Sequence, residues 1–434
     1  MEQKAIVLLP LIDIADRFLC VGQMLYIMIK IKIRIIFMRP NLSISMMLAT
    51  AVVGFQSNAQ TVDTTDAQSK AEAIAQQKQS IALQISARYA DLESSIKSQI
   101  NEEHLSAPLN NLQSAQPYSA FSQKMQKADR SYRAMKGISE YSDSIMELRI
   151  ADASMVKNWK EGESPLFAFE PSGDDSNWQF IEAYDVYGQV HQLDVYEMPD
   201  VPVLVVDSNG AEELRAGLMA MQAEMKRLGQ DTELTTNDSA PKPAAKMSKM
   251  SRSVMAADVE PLNTTQLTKI RLNDDQEPWI SGKAEVYAII TGVDPSRVEP
   301  EIDLVEMPYL DYDGQDYYPG QTMVLWPRYR WGAVDMILME QDDGTDYKEL
   351  AKLLVKAAEE ILKMIPDPEV QGYAIIAQIT GKIIDVIPDG LLTNDDDYVD
   401  VYYTLMQNTT YVDRPGAGGN AVATFKPVTI SPTE

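Results

Sequence analysis

The stretch VLVVDSNGAEELRAGLMAMQAEMKRL (203–228) decides the fold class of this protein. It opens with an apolar run of β-branched type, VLVVD (203–207), which is typical of a buried strand. Asn209 can cap the helix that follows, with Glu212 three residues on, and Gly229 can supply its left-handed stop. The apolar face of that helix consists of Leu214, Leu218, Met221, Met225 and Leu228. A strand that leads directly into an amphipathic helix predicts a mixed α+β structure.

The residues on the N-terminal side extend this prediction. Segments 178–184 (WQFIEAY) and 189–196 (QVHQLDVY) flank a turn and are typical of a β-hairpin, so residues 150–230 are predicted to form one α+β unit. Residues 60–149 are predicted to be a helical region, because apolar side chains recur there at helical intervals. These side chains are Ile74, Ile81, Ile85, Tyr89, Leu92 and Ile96.

Residues 231–263 lie between the two halves of the chain. They are rich in Ser, Pro, Ala and Lys and show no apolar periodicity, which predicts a flexible basic linker. A basic arm that docks on the protein's own acidic surface, or a processing site, is the alternative interpretation.

The C-terminal part, residues 264–434, is predicted to be an antiparallel β-sandwich, because short strand-like segments alternate there with Asp, Asn, Gly and Pro turns. The segments are 267–272, 284–290, 302–307, 321–326, 333–340, 397–405 and 420–428. Residues 347–365 and 373–387 depart from this pattern and are helical in periodicity. They predict a helical hairpin, 347–387, inserted between two strands.

Acidic residues of the C-terminal part are bunched in the loops between the predicted strands. Calcium takes six to eight oxygen ligands from carboxylates and loop carbonyls, so these loops are candidate Ca2+ sites. The alternative is that Asp and Asn serve there as ordinary turn formers. The candidate metal ligands are Asn273, Asp274, Asp275, Asp311, Asp313, Asp342, Asp343, Asp346, Asn394, Asp395, Asp396, Asp397 and Asp400.

Aromatic residues are crowded in segment 309–331, and they permit two interpretations. If they are exposed, they can form a stacking platform for sugar rings, and if they are buried, they belong to the core of the sandwich, which is the more usual outcome. Enzyme signatures are sparse. The chain has two histidines, outside any zinc motif, and no nucleophile elbow or glycine-rich phosphate loop. A hydrolase with two carboxylates stays open, because spacing in sequence says little about spacing in space.

Residues 38–59 (MRPNLSISMMLATAVVGFQSNA) are typical of a signal peptide, with cleavage expected before Gln60. The apolar run 44–55 has 12 residues and spans about 18 Å as a helix, too short for a bilayer core of roughly 30 Å, so the mature form is expected to have no transmembrane anchor. Residues 1–37 are interpreted as an over-extended start, with a second targeting element as the alternative. The chain is expected to be secreted, periplasmic or at the cell surface.

The charge balance limits the partners of the chain. It carries 64 acidic and 38 basic side chains, a formal net charge of −26, which repels phosphate backbones and excludes nucleic acid. The one cysteine, Cys20, precedes the leader, so the mature chain is expected to have no disulfides or thiolate metal sites.

Several phrases of the sequence resemble a family of exported bacterial proteins of unknown function, the domain of unknown function 3103. The phrases are LRIADASMVKNWKEGESPLFAFEPSGDDSNWQFIEAYDVYGQVHQLDVYEMPDVPVLVVD (148–207), IRLNDDQEPWISGKAEVYAIITGV (270–293), MPYLDYDGQDYYPGQ (307–321) and TNDDDYVDVYYTL (393–405). The resemblance covers about residues 74–428. It implies export and a single architecture for both halves, and it carries no catalytic residues over to this chain.

Three functions are compatible with these observations. The favoured one is a non-enzymatic surface or secreted binding protein whose loops bind a divalent cation, Ca2+, with carbohydrate or a cell-surface component as a further partner. The second is a secreted hydrolase that acts on carbohydrate through paired carboxylates. The third is a membrane-active protein that uses the 347–387 hairpin.

Overall fold

The computed structural model describes residues 64–112, 120–160, 162–173, 175–236, 260–274, 278–295, 299–341, 344–364, 372–387 and 398–431, and all of them belong to one compact unit. The over-extended start, the signal peptide and the cleavage before Gln60 lie outside the described residues, as does most of the predicted linker. These features stay predictions.

The described residues contain seven α-helices, and capping and apolar periodicity explain the helix that opened the sequence analysis. Asn209 accepts a hydrogen bond from the N–H of Glu212 at 3.0 Å, and Gly229 adopts φ +95°. The helices are α1 (Thr64–Ser86), α2 (Tyr89–Gln99), α3 (Ala120–Met135), α4 (Ala153–Asn158), α5 (Gly210–Arg227), α6 (Tyr347–Met364) and α7 (Ala374–Val386).

A six-stranded sheet occupies the N-terminal half. Its order is β1-β2-β6-β3-β4-β5, with β3 parallel to β6 and every other adjacent pair antiparallel. Its strands are β1 (Ser106–Pro108), β2 (Met146–Ile150), β3 (Leu166–Phe169), β4 (Ile181–Tyr184), β5 (Val190–Leu193) and β6 (Val203–Ser208). All residues of β6 are buried, as the apolar run predicts.

Two further sheets contain the remaining strands. A five-stranded sheet has the order β13-β12-β9-β10-β7, and a four-stranded antiparallel sheet has the order β11-β8-β15-β14. The strands are β7 (Leu234–Thr235), β8 (Leu262–Leu272), β9 (Val286–Val293), β10 (Pro300–Glu306), β11 (Gln321–Leu325), β12 (Ala333–Glu340), β13 (Tyr398–Met406), β14 (Tyr411–Pro415) and β15 (Ala421–Ile430).

The five-stranded sheet is buried on both faces, because its side chains alternate between two cores. Tyr287 and Ile289 belong to the larger core, together with the helices and the six-stranded sheet. Ala288 and Ile290 belong to the smaller core, together with Phe425 of the four-stranded sheet. The larger core contains residues from each of the predicted segments 60–149, 150–230 and 264–434, so these segments pack as parts of one unit.

Helices α5 and α6 pack closely against each other at a glycine. A Cβ at Gly217 would overlap the ring of Tyr347, so only glycine permits this approach. The segment that connects α6 to α7 lies outside the described residues. No helix within the described ranges is both long and apolar enough to cross a membrane. The membrane-active alternative stays a prediction.

The mixed α+β class is confirmed, and so are the seven strand segments and two helical segments predicted for the C-terminal part. The sandwich arrangement and the helical hairpin stay predictions. Sequence analysis missed β1 and β2, which lie almost entirely in the predicted helical region, the strand β3, and the edge strand β14. It also placed Leu234–Thr235 in the linker, whereas these residues form β7. The strands β1 and β7 have three and two residues, too few to show the alternation from which strands are predicted.

Candidate functional site

A cavity of about 520 Å³ lies between the six-stranded sheet and the segment that precedes β9. Its volume falls within the range of roughly 300–1,000 Å³ that is usual for small-molecule sites. Four parts of the chain supply its polar wall: strand β2, the residues that follow β3, the junction of β6 with α5, and segment 279–285. The chemistry of the cavity therefore depends on residues that are far apart in sequence.

Two carboxylates stand opposite each other on the sheet face that lines the cavity. Glu147 of β2 is the register partner of Asp207 of β6 in an antiparallel pair. Directly opposite residues in such a pair have Cβ atoms about 4.5–5.5 Å apart, so the two side chains are close neighbours. Arg149 lies two residues beyond Glu147 and therefore faces the same side of the sheet.

Asp207 is the centre of a buried ion-pair network. Its Oδ1 accepts hydrogen bonds from Lys78 Nζ at 3.0 Å and from the N–H of Ser208 at 2.8 Å, and its Oδ2 accepts one from Arg149 Nε at 2.8 Å. Burial raises the pKa of Asp207, but the charges of Lys78 and Arg149 outweigh burial and lower that pKa to about 2. Asp207 is therefore ionised at every physiological pH.

Glu147 has the opposite electrostatic environment. Its side chain lines the cavity, and the residue is 8% exposed. Ser106 Oγ and Asn209 Nδ2 donate hydrogen bonds to Glu147 Oε2 at 2.9 and 3.3 Å. Burial raises the pKa of Glu147 to about 7, the negative charge of Asp207 adds to that increase, and the two hydrogen bonds oppose it. Near neutral pH, Glu147 can therefore both donate and accept a proton.

The segment that precedes β9 covers the charged face of the sheet. The guanidinium of Arg149 donates a hydrogen bond to the backbone carbonyl of Ile280. Gly282 adopts φ +101°, and a Cβ there would lie 3.1 Å from Arg149 Nη2. Ser281 Oγ donates to Glu170 Oε1 at 3.0 Å, and the other oxygen of Glu170 lies 3.7 Å from Lys78 Nζ. A third carboxylate is therefore held at the cavity wall beside the same cations.

The N-terminus of α5 also meets the cavity. A Cβ at Gly210 would overlap the carboxylate of Glu285, so this carboxylate lies directly against the first turn of the helix. A negative charge at that end is stabilised by the helix dipole and by the free backbone N–H groups. Glu285 is thus an internal anion at a position where an external anion would otherwise bind.

Three aromatic side chains form the less polar part of the wall. Trp178 Nε1 donates to the carbonyl of Gly173 at 2.9 Å, and Trp279 Nε1 donates to the carbonyl of Asp194 at 3.0 Å. Tyr312 lies under Lys283, whose Nζ is 5.6 Å from the ring centroid. These contacts orient the rings before any ligand arrives.

In the aromatic segment 309–331, some rings are buried and others are exposed, so each of the two interpretations that the sequence permitted applies to part of it. Trp326 and Tyr329 are buried in the smaller core, as the usual outcome predicts. Tyr312 and Tyr318 are exposed, and only Tyr312 of this segment lines the cavity. The segment is therefore mostly core, with one exposed ring at the candidate site.

Two of the predicted calcium ligands have cationic partners in the structure. Asp311 Oδ2 accepts a hydrogen bond from Lys283 Nζ at 2.8 Å. Asp346 Oδ2 accepts one from Lys70 Nζ at 3.2 Å, and its Oδ1 accepts the N–H groups of Lys348 and Glu349, both at 3.2 Å, at the start of α6. The structure thus assigns Asp346 a capping role.

Three other candidates meet at one loop, residues 416–420. Asp400 accepts the N–H groups of Gly418 and Ala421 at 2.7 and 2.8 Å. Asn273 Nδ2 donates to the carbonyl of Gly419 at 2.8 Å, and the N–H of Asp274 donates to Asn420 Oδ1 at 3.0 Å. The structure therefore brings Asn273, Asp274 and Asp400 to the same loop.

The remaining candidates are separate or lie outside the described ranges. Asp313 is exposed in the turn before β11. Asp275, Asp342, Asp343 and 394–397 lie outside the described residues. Among the residues that the structure describes, no group of three or more His, Cys, Asp or Glu is arranged to hold a metal ion. Calcium binding by these loops stays a prediction.

Sequence analysis did not find Glu147, Glu170 or the network of Asp207. Asp207 ends the apolar run 203–207, immediately before a helix cap, and Glu147 and Arg149 interrupt the otherwise apolar strand MELRI (146–150). Charged residues inside short buried strands were the available signal, because charges are rarely buried unless they are paired or functional. That signal does not show which of them meet.

The fold and the cavity define an α+β protein with a charged, partly aromatic cavity. The chain belongs to the family described as "Protein of unknown function (DUF3103)", whose model matches residues 78–433. This range contains Glu147, Arg149, Glu170, Asp207 and the rest of the polar wall. The match confirms the family resemblance that the sequence phrases indicated. No match was found among curated proteins or among solved structures.

Proposed function

We propose that the cavity is the active site of a hydrolase in which Glu147 transfers the proton. The observation that carries the proposal is the pair of opposed carboxylates, because their environments move their pKa values apart, to about 7 for Glu147 and about 2 for Asp207. Such a separation is the usual way in which one site obtains both an acid and a permanent anion at neutral pH. This is the second of the functions that the sequence left open.

The roles of the three carboxylates follow from their partners. Both oxygens of Asp207 accept hydrogen bonds from Lys78 or Arg149, so Asp207 positions these cations and does not act on substrate. Glu147 and Glu170 both line the cavity and flank Arg149, which makes them the paired carboxylates of the proposal. Glu147 donates its proton to the leaving oxygen as the bond to that oxygen breaks, and Glu170 accepts a proton from the water molecule that attacks from the opposite side of the scissile bond.

The walls of the cavity favour a carbohydrate substrate. Sugars present apolar C–H faces, which pack on aromatic rings, and hydroxyl groups, which carboxylates and amides bind. Trp178, Trp279 and Tyr312 supply the rings, while Glu147 and Glu170 supply acceptors beside them. The charge of −26 opposes an anionic substrate.

Replacing Glu147 with glutamine is expected to abolish turnover while the chain stays folded. General acid–base catalysis contributes typically about 10²–10⁴-fold, so kcat should fall by at least that factor. The measurement is hydrolysis of chromogenic glycosides and polysaccharides by the wild type and by the variant Glu147→Gln. Glu301→Gln is the matched control, because Glu301 is also a buried strand glutamate with its pKa raised by burial, to about 8, but does not line the cavity. Turnover retained in Glu147→Gln, or absent in the wild type on every substrate, contradicts the proposal.

The same variant supplies an independent check through its stability. The pKa of Glu147 is raised in the folded chain from 4.5 to about 7, so the wild type loses stability as pH rises between these values and stays at the lower level above them. Glutamine does not titrate, so Glu147→Gln should be more stable than the wild type at pH 8, by up to about 3 kcal/mol. Thermal melts at pH 5 and pH 8 measure this difference. If Glu147→Gln is less stable than the wild type at both pH values, any loss of turnover would be due to misfolding and not to the missing proton donor.

Calcium binding is the second candidate function, in a narrower form. The observation in its favour is that Asn273, Asp274 and Asp400 meet at the 416–420 loop. Calorimetric titration and the melting shift in millimolar calcium test it, and Asp274→Asn should weaken both responses. Asp346→Asn is the control, because Asp346 pairs with Lys70 and caps α6, so its loss should leave calcium affinity unchanged. If the wild type gives neither a heat signal nor a melting shift, calcium is not its ligand.

A further inference from the structure

Exposed apolar side chains continue from the mouth of the cavity onto the loop 194–201. Met198 lines the cavity and is itself exposed, and Tyr196, two residues earlier, is 66% exposed. Two residues of extended chain reach at most about 7 Å, so Tyr196 lies within that distance of Met198, and it is not part of the cavity wall. Val201 is a third exposed apolar residue of the same loop. A soluble chain that keeps such side chains together at the mouth of a cavity presents a binding surface there.

The loop that carries Tyr196 is held in place by hydrogen bonds. Asp194 Oδ1 accepts the N–H groups of Tyr196 and Glu197 at 2.9 and 2.8 Å, which closes a tight turn. The carbonyl of Asp194 accepts the indole N–H of Trp279, a residue of the cavity wall. Trp279 and the turn at Tyr196 are therefore fixed relative to each other, so the turn that carries Tyr196 lies directly beside the aromatic wall.

We propose that the ligand of this site is a polysaccharide chain that leaves the cavity past Trp279 and stacks a further sugar unit on Tyr196. This inference rests on the hydrolase proposal for the catalytic step, while the binding surface is argued from the exposed loop alone. An aromatic ring whose backbone is fixed loses little entropy on binding, so Tyr196 stabilises a sugar unit outside the cavity.

The charged residues along the path from the cavity past Trp279 to Tyr196 determine which charge the bound polysaccharide can carry. Glu197 and Asp200 are exposed on the same loop, and Asp152 lines the cavity mouth. Of the cations that line the cavity, Arg149 pairs with Asp207 and Lys283 pairs with Asp311, while Lys78 behind them pairs with Asp207 and Glu170. The path therefore repels polyanions, and the chain that binds is uncharged or cationic.

Binding of three soluble polymers to the full chain carrying Glu147→Gln tests the inference, because turnover is then suppressed. The polymers are an uncharged β-glucan, cationic chitosan and anionic alginate, measured by affinity electrophoresis and calorimetry. We expect binding of the β-glucan or the chitosan and none of the alginate. Adding Tyr196→Ala should weaken that binding by roughly three- to tenfold, the usual scale of one aromatic stacking contact. Tyr187→Ala is the control, because Tyr187 is 84% exposed on the β4–β5 turn but is not part of the loop.

The possible results separate the two proposals. Equal binding with and without Tyr196→Ala, a preference for alginate, or no binding of any polymer overturns the polysaccharide surface. If Tyr196→Ala weakens polymer binding while Glu147→Gln retains turnover, the surface stands and the hydrolase assignment falls. If Glu147→Gln abolishes turnover of small glycosides while polymer binding does not depend on Tyr196, the hydrolase stands and the extended surface falls.

Discussion

Replacing Glu213 with glutamine is expected to lower the free energy of unfolding by about 3–5 kcal/mol. Glu213 on α5 forms an ion pair of 2.6 Å with Lys136, and the side chains of both residues are 0% exposed. Tyr132 Oη donates a hydrogen bond to the other carboxylate oxygen of Glu213, Oε2, at 2.8 Å. The variant leaves the ammonium of Lys136 in the core without a counter-charge, and an uncompensated buried charge is among the most costly defects in a protein.

Chemical denaturation of matched variants measures this cost. Glu359→Gln is the control, because Glu359 pairs with Lys363 at 2.5 Å on the exposed face of α6, where an ion pair contributes at most about 1 kcal/mol. The double variant Lys136→Met with Glu213→Leu should recover most of the loss, because an apolar pair of similar volume removes both charges. A loss below about 1 kcal/mol in Glu213→Gln would mean that water reaches the pair, contrary to the burial in the structure.

The second large effect is expected at the cavity. Asp207→Asn removes the anion between Lys78 and Arg149, so two buried cations lose the carboxylate that lies closest to them, and the free energy of unfolding should fall by about 3–5 kcal/mol. The variant should also lower the pKa of Glu147 from about 7 towards 4.5, because the charge of Asp207 helps to raise that pKa and because Arg149 becomes available to Glu147. The variant is therefore expected to change both the free energy of unfolding and the pKa of Glu147.

The pH dependence of unfolding distinguishes this effect from simple destabilisation. In the wild type, the raised pKa of Glu147 makes stability decline between about pH 4.5 and 7, and in Asp207→Asn this decline should shrink. The lowered pKa of Asp207 acts in the other direction, since its stabilisation is present above pH 3.8 and is lost as pH falls through about 2. Asp152→Asn is the control, because Asp152 lines the same cavity but accepts its hydrogen bond from the N–H of Ser154. An unchanged decline in Asp207→Asn would show that the two carboxylates are not coupled.

Much of the fold could be predicted because helix and strand patterns are local. The α5 helix has its cap, its apolar face and its glycine stop within 21 residues, 209–229, and the structure contains all three. The short strands β1 and β7 could not be predicted, because they are defined by backbone pairing with distant strands and carry too few residues for a pattern.

The candidate site was not predicted, because its residues are scattered along the sequence. Lys78, Glu147, Glu170, Asp207 and Ser281 come from five separate elements or loops, and none belongs to a motif with fixed spacing. The acidic loops were predicted to bind calcium instead, because acidic residues adjacent in sequence resemble the ligands of a metal site. Two of them, at Asp311 and Asp346, pair with lysines in the structure.

The sequence by itself determined the secondary structure of most of this protein, its α+β class and its membership of the family, because these depend on short-range patterns and on direct similarity. The opening stretch, 203–228, already specified a buried strand and a capped helix. Only the tertiary structure decided what Asp207 at the end of that strand does. The pKa values of Asp207 and Glu147 depend on burial and on charges that come from positions 78, 147, 149 and 207, and only folding brings these positions to within a few ångströms of one another.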